Sequence, residues 1–544
     1  MLIYLNLLAN NIEFLNNLGN FATSFETNFK KQSIMIKKFI MAVLAIMLSG
    51  NTAFAGGILT NTNQNIAFNR NMARDGIIGI DGVYSNPAGV VFMDNGFHLS
   101  FNWQAAFQTR TILTTNPDFA LGMNNDGATT KKFKGVANVP VIPSLQAAYN
   151  TGRWSLQTNI AITGGGGKCE FDQGIGSFES AMGAITHMLQ PLGTTGYDAD
   201  CFMSGKQYYI GFTLGAAYKL TDNLSIYGGA RLLYGSASYK ARMNNLIVNT
   251  EAGAVPFGTF LDNANTRIAG GIAQYAAGIS QLEAGIAQYK AAGVPVPEEL
   301  TTKLATAQAA KAQLEGTQKS LQTLETYREG VSMMSDQSGL GIAPIIGLDY
   351  KVGAFNFGAK YEFKTRMRMK NNSTVKEAHQ IEAINKYRDG SSIPEDQPAL
   401  LTIGGQWSVT PNVRLMAGYH QFFDKSAHWY NHDEQKLDGN TWEYNAGAEW
   451  DVNDKLLVSA GFQKTNYGLS DEYMNDMSFV VSSYTYGLGF RYKISDMVKV
   501  NVAYFQTNYD TYKQDVTPTA TNATTHNDFT RTNRVLGVGV DLTF

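Results

Sequence analysis

The chain is written in alternation. Val498, Val500, Val502 and Tyr504 interleave with Lys499, Asn501 and Ala503, and Phe355, Phe357, Ala359, Tyr361 and Phe363 with Asn356, Gly358, Lys360, Glu362 and Lys364. Tyr484 to Tyr492 and Leu536 to Phe544 repeat the pattern, one face apolar and aromatic, the other small or polar. A period of two is that of a β-strand whose faces meet different surroundings. Fourteen such segments are predicted, at about 97–109, 143–150, 154–163, 206–220, 224–240, 341–352, 355–369, 398–409, 413–423, 443–452, 456–465, 482–494, 498–507 and 535–544. Six connections are tight, such as Gly353-Ala354 and Asn453-Asp454, and the other seven run from about 17 to 100 residues. An even strand number, short turns at one end, long loops at the other and aromatic strand ends describe an outer-membrane barrel. A secreted β-sandwich also alternates, but it buries its apolar face against a second sheet and needs no aromatic girdle. The expected class is all-β, a 14-stranded antiparallel transmembrane β-barrel over residues 97–544.

Composition agrees with that reading. Charged residues make up 16% of the chain, below the usual ~25% of soluble domains, and 54 of the 544 residues are Gly. A net charge of −2 gives no field to gather nucleic acid, so no such partner is expected. Lys37 and Lys38, the apolar run Phe39 to Leu48 and the small residues Ala53 and Ala55 have the layout of a secretory signal over 35–55. Ten apolar residues are too few to span a bilayer. Residues 1–34 precede that signal and are expected to be a gene-start artefact, with translation from Met35 and a mature terminus at Gly56. No later stretch approaches the ~18 uncharged apolar residues of a membrane helix.

The longest loop carries a different period. Ile272, Ile279 and Ile286 recur every seven residues, with Tyr275, Leu282 and Tyr289 three places on, the seam of a coiled coil. Pro297 then opens a second run with Leu300, Ala307, Leu314 and Leu321. Residues 251–335 are therefore expected to form an extracellular helical hairpin. It is expected to serve as a cargo-gathering or surface-contact device, or as a stiff spacer.

Residues 56–96 lack alternation, and within them Ser85-Asn86-Pro87-Ala88-Gly89-Val90 stands just ahead of the first strand. Further stretches are Val141 to Tyr149, Gly347 to Lys351, Lys360 to Thr365 and Gln397-Pro398. With the leader and the fourteen strands, the chain resembles the FadL family of outer-membrane transporters of long-chain fatty acids and other hydrophobic compounds. The resemblance implies that residues 56–96 fold back as a hatch, with Asn86, Pro87, Ala88 and Gly89 in its middle. It also implies cargo capture above the hatch and sideways exit at a kinked third strand. Gly164, Gly165, Gly166 and Gly167 end that strand as read here and are the lateral-gate candidates, since glycines lower the cost of a bulge. A flexible strand exit is the alternative reading. A Pro-Phe-Gly-like turn usual after that strand is absent.

Arg231, Lys360, Arg414 and Arg491 read as inward, and a lumen of that kind is expected to wet. Cys169 and Cys201 fall in the loop between strands three and four and are expected to pair in an oxidising compartment. His428 and His432 have helical metal spacing but lie in a long loop, and no metal or cofactor is expected. No nucleophile motif accompanies His98 or His420, so no enzyme is expected. The leading expectation is passive transport of hydrophobic small molecules by a monomer in contact with outer-membrane lipids of a Gram-negative cell. A surface adhesin displaying the hairpin, or a general porin, is the alternative.

Overall fold

The computed structural model describes residues 57–376, 382–477, 479–517 and 523–544. The expected leader, its processing site and the start at Met35 lie outside the described residues.

Fourteen strands close into one antiparallel barrel. They are β1 (Gly96–Thr115), β2 (Thr130–Thr151), β3 (Trp154–Phe171), β4 (Thr194–Lys219), β5 (Leu224–Thr250), β6 (Val331–Val352) and β7 (Phe355–Glu362), which resumes over Arg366–Lys376. The wall continues through β8 (Leu400–Thr410), β9 (Val413–Phe422), β10 (Trp442–Asp451), β11 (Leu456–Asn466), β12 (Ser483–Lys493), β13 (Val498–Tyr509) and β14 (Thr525–Thr543). Short pieces at Gly253–Pro256, Ser392–Pro394 and Tyr512–Val516 extend the sheet. The ring closes where β1 pairs with β14, from His98 opposite Thr543 to Thr115 opposite His526.

Near the tight turns the wall is inside out relative to a soluble protein. On β1, Phe101, Trp103 and Phe107 are exposed while Ser100, Asn102 and Gln104 are buried, the arrangement that lipid outside and a polar lumen inside select. The strands run well past the segments read from alternation: β2 begins at Thr130, β5 continues to Thr250 and β6 begins at Val331. The reason is an inversion of the pattern. Higher on β2, Lys132, Lys134 and Asn138 face out and Phe133, Ala137 and Val139 face in; on β5, Lys240 and Arg242 face out and Tyr239 and Met243 in. Beyond the ~9–11 residues a bilayer needs, water replaces lipid outside, and the strands behave as an ordinary sheet around an apolar core.

That core is large. Ile112, Phe133, Phe171, Tyr209, Leu233, Met243, Met369 and Phe529 of the wall enclose Phe178, Met182 and Ile185 of helix α3 (Gly176–Leu189). Helix α1 (Ile66–Arg70) and the single turn α2 (Gly82–Ser85) precede the barrel. The expected hairpin is present as α4 (Phe257–Ala291) and α5 (Glu298–Leu324). Its seam holds Ile268, Tyr275, Leu282 and Ile286 against Ala307, Leu314 and Leu321, while Tyr289, expected in the seam, is exposed. The base of the hairpin is not a free loop, because Phe257, Phe260, Leu261, Leu324 and Tyr327 belong to the barrel's apolar core.

Cys169 and Cys201 lie on strands rather than in a loop, and both are free thiols. Cys169 stands opposite Gly205 and Cys201 opposite Met243. Four residues of β4, about 13 Å at ~3.3 Å each, separate Cys201 from the position facing Cys169. The expected disulfide is not formed, since a bridge tolerates at most ~7 Å between Cα atoms.

Candidate functional site: a filled lumen and a gap in the wall

The segment 57–95 is rich in Asn, and its Asn and its few charged residues meet a polar wall. Asn65 caps α1, its side-chain oxygen accepting the Ala67 N–H at 2.7 Å, and donates to Gln146 at 2.5 Å. Asn69 donates to Gln104 at 2.8 Å. Arg70 reaches Glu449 at 2.8 Å and Ser459 at 2.7 Å. Arg74 pairs with Asp81 and with Glu449, both at 2.7 Å. Asp75 lies 3.0 Å from His420, whose other ring nitrogen is 2.8 Å from Glu443. These partners come from β1, β2, β9, β10 and β11, so the segment is held from several sides of the lumen.

The four residues expected in the hatch are each engaged. Asn86 donates to Asp349 at 2.6 Å, the Pro87 carbonyl accepts from Gln157 at 2.8 Å, and the Ala88 carbonyl accepts from Ser225 at 2.6 Å. A Cβ on Gly89 would fall 2.9 Å from Asp349 Oδ2, so the tight fit requires glycine there. The lumen candidates are likewise occupied. Arg231 grips Glu362 with two nitrogens at 2.5 and 3.2 Å, and Lys360 donates to Glu362 and to the Tyr84 carbonyl, both at 2.7 Å. Arg414 pairs with Asp451 at 2.6 Å, and Arg491 approaches the same carboxylate at 4.0 Å. Arg231 and Lys360 are thus buried and paired with Glu362, while Arg414 and Arg491 stay partly exposed beside Asp451.

Among the described residues, the ladder between β2 and β3 is interrupted. The β2–β3 ladder runs from Thr151 opposite Trp154 to Ser144 opposite Ala161, then breaks, and the next pair is Val136 with Glu170. Gly164 to Gly167 sit in this stretch, inside β3 rather than at its exit. The β3–β4 register shifts twice here, between Ile162 and Gly164 and between Gly165 and Gly167. Gly165 and Gly167 have φ of +85° and +71°, a left-handed backbone that glycine adopts without steric cost. The N-terminal segment reaches this point: the Asn61 N–H donates to Thr163 O at 2.8 Å and its side chain to Gly165 O at 3.2 Å. A Cβ on Gly164 would collide with the Leu59 carbonyl. A pocket lined by Asn61, Gln64, Gln104, Val139, Ile142 and Ile162 lies beside the break. Pro140 and Pro143 fall in the unpaired stretch of β2, and having no N–H they have no ladder bond to give.

Sequence reasoning missed a pair of cations above this pocket. Arg110 of β1 stands opposite Arg531 of β14, and both are buried, at 2% and 3% exposure. Arg110 lies 5.7 Å over the Phe479 ring and Arg531 5.0 Å over the Tyr509 ring. Arg110 forms no ion pair among the described residues, and its Nε has no hydrogen-bond partner there. The neighbouring pair Gln108 and Asn533 also leaves side-chain N–H groups buried and unmatched. Ile112 and Phe529 lie on the upper side, in the large apolar core; Ala106, Val139, Phe505 and Val535 lie below, packed on Phe68 and Met72. The alternation signal fades near Thr109, so Arg110 falls just beyond the strand as read from sequence.

No protein-family model and no curated protein sequence matches the chain. Solved structures do. The crystal structure of a Pseudomonas aeruginosa FadL homologue aligns with a TM-score of 0.57 at 13% identity, over 90% of this chain and 100% of that one. The Pseudomonas putida toluene transporter TodX aligns with a TM-score of 0.51 at 11% identity, over 90% of this chain and 100% of that one. The likeness runs over nearly the whole length, and the chain has the fold of the FadL-type outer-membrane barrels.

Proposed function

We propose that the protein is an outer-membrane channel for passive uptake of hydrophobic compounds bearing an anionic head, long-chain fatty acids foremost. In this reading residues 56–96 are the hatch, and cargo leaves sideways between β2 and β3. The observation that carries the cargo class is Arg110, a buried guanidinium without an acidic partner among the described residues, set beside Arg531 at the edge of an apolar core. An unpaired buried charge is costly, and a carboxylate arriving with its own apolar tail relieves that cost with charge-assisted bonds. From Arg110 down to the level of Ala106 and Val139 is four residues of strand, about 13 Å, which leads a tail toward the pocket at the break. Lateral exit suits an apolar cargo because it passes from chamber to lipid without crossing water.

The test is binding and uptake of radiolabelled oleate alongside toluene. Arg110→Met should lower oleate affinity by about tenfold or more, the worth of one hydrogen bond to a charged group, and leave toluene unaffected. Equal effects on both compounds, in a barrel with unchanged heat-modifiable migration, would reject the anionic-head reading. The filled lumen argues against a general porin, and a liposome-swelling assay with small sugars should show no permeation.

A further inference from the structure

The loop between β9 and β10 brings together three side chains that the cargo reading leaves unused. His428, His432 and Glu434 each offer one ligand atom, and these atoms lie within 4.8 Å of one another. The imidazole rings are 5.0 Å apart between centroids and inclined at 52°. No helix sets this spacing. Asn431 and His432 both have φ of +55°, and this left-handed step, uncommon for residues with a Cβ, turns the backbone so that the two rings share a side.

Glu434 is the fixed member. It is 1% exposed, one carboxylate oxygen accepts the Trp429 N–H at 2.9 Å, and the other lies 3.2 Å from His432 Nδ1. Such second contacts orient ligands in metal sites. The imidazoles are exposed, so an ion has a path from solvent, and an open coordination position remains for water. The neighbouring charges are already used: Asp433 pairs with Lys436 at 2.7 Å, and Lys425 donates to the Leu437 carbonyl.

We propose that His428, His432 and Glu434 form a binding site for a divalent transition-metal ion of the zinc, nickel and copper class. Two imidazoles and one carboxylate are the donor set that such ions share, whereas Mg2+ and Ca2+ require oxygen ligands. Metal–nitrogen bonds of about 2.0–2.1 Å need the donor atoms closer than they now stand, a movement that rotation of the two exposed rings supplies. The site is tied to the hatch-bearing side of the molecule. Trp429, between the ligands in sequence, packs with Ile58, Leu59, Leu437, Tyr467 and Val480, and its indole N–H donates to the Asp396 carbonyl at 2.9 Å. An ion held here closes the loop that covers Ile58 and Leu59.

The test uses untagged full-length protein in detergent, stripped with chelator and titrated calorimetrically with ZnCl2, NiCl2 and CuSO4. One ion per chain should bind, tightest for copper, with no heat from MgCl2. His428→Ala and His432→Ala should each weaken binding by about tenfold or more, at least the cost of losing an outer-shell partner. Copper-loaded protein should show nitrogen hyperfine structure in its EPR spectrum that weakens in either variant. Both histidines are exposed, so the variants keep the heat-modifiable barrel, and that migration is checked in parallel. Absence of stoichiometric binding to the intact protein, or binding unchanged in the folded double variant, would overturn the site.

Discussion

Arg74 of the N-terminal segment and Glu449 of β10 form a buried ion pair of 2.7 Å, and Arg70 donates to the same carboxylate oxygen at 2.8 Å. One acidic group thus seats two arginines of the N-terminal segment, with Arg414 also 3.4 Å away. Glu449→Gln should leave those guanidiniums crowded and under-neutralised, at a cost of about 3–5 kcal/mol to the seating of the N-terminal segment. Planar-bilayer recordings should then show openings absent from the wild type, with barrel migration on gels unchanged. A variant as tight as the wild type would mean that the remaining hatch contacts suffice.

Gly165 and Gly167 hold the bulges beside the break in the β2–β3 ladder. Alanine at either position meets a strain of about 1–2 kcal/mol from the left-handed backbone, and its Cβ overlaps the Gln207 carbonyl at 165 or the Val139 side chain at 167, so the bulge must shift to accommodate it. Gly165→Ala with Gly167→Ala should therefore reduce oleate uptake while binding in the chamber persists. Unchanged uptake by the assembled double variant would place the exit elsewhere.

Asp476, in the loop between β11 and β12, accepts the Ser177 N–H at the start of α3 at 2.6 Å. Burial pushes its carboxyl up from 3.8 to about 6. A raised folded-state value means that the folded loop binds the proton more tightly, so the stabilisation is full below 3.8 and is lost as pH rises through about 6. Hydrogen-exchange protection of α3, corrected for intrinsic rates, should be higher at pH 5 than at pH 7.5 by about 1–1.5 kcal/mol. Asp476→Asn should remove the difference, and a difference that survives in that variant would assign it to another group.

The hairpin divides into a base and a shaft. Removing residues 265–320 and joining the ends through a short Gly/Ser linker should leave barrel, chamber and oleate binding intact, because closure entropy changes slowly with loop length. Removing 258–328 also takes out Phe260, Leu261, Leu324 and Tyr327 of the apolar core. At about 2–5 kcal/mol per large buried side chain, that deletion should destabilise the upper chamber, seen as dye binding to exposed apolar surface. Equal behaviour of the two deletions would contradict the division.

Much of this architecture was legible in the sequence because lipid imposes a strict rule on the lower wall: Phe101 and Trp103 must face out and Ser100 and Asn102 in. Asn86 to Gly89 were findable by resemblance, but their partners Asp349, Gln157 and Ser225 were not, since those contacts span up to 263 residues. The upper strands escaped notice because the rule inverts once water replaces lipid. Phe133 between Lys132 and Lys134 then reads as a polar loop. Pro140 and Pro143 were the available signal for the break in the β2–β3 ladder, and Arg110, the one charged residue among the buried positions of β1, was the signal for the buried cation. The cysteine pairing failed because separation in sequence says nothing of register on neighbouring strands.

The closure of β1 on β14 has a consequence for the order in which the molecule is made. Arg70 is synthesised 379 residues before Glu449, and the Phe97 and Phe544 backbones bond to each other only at the seam. Until most of the wall exists, the arginines of the early segment have none of their acidic partners on the wall. Contacts of such separation form late. The segment 57–95 therefore precedes the wall in synthesis and is among the last parts to settle, and a barrel caught between those moments is an open ring beside a loose, Asn-rich thread whose two Arg and three Asp nearly cancel.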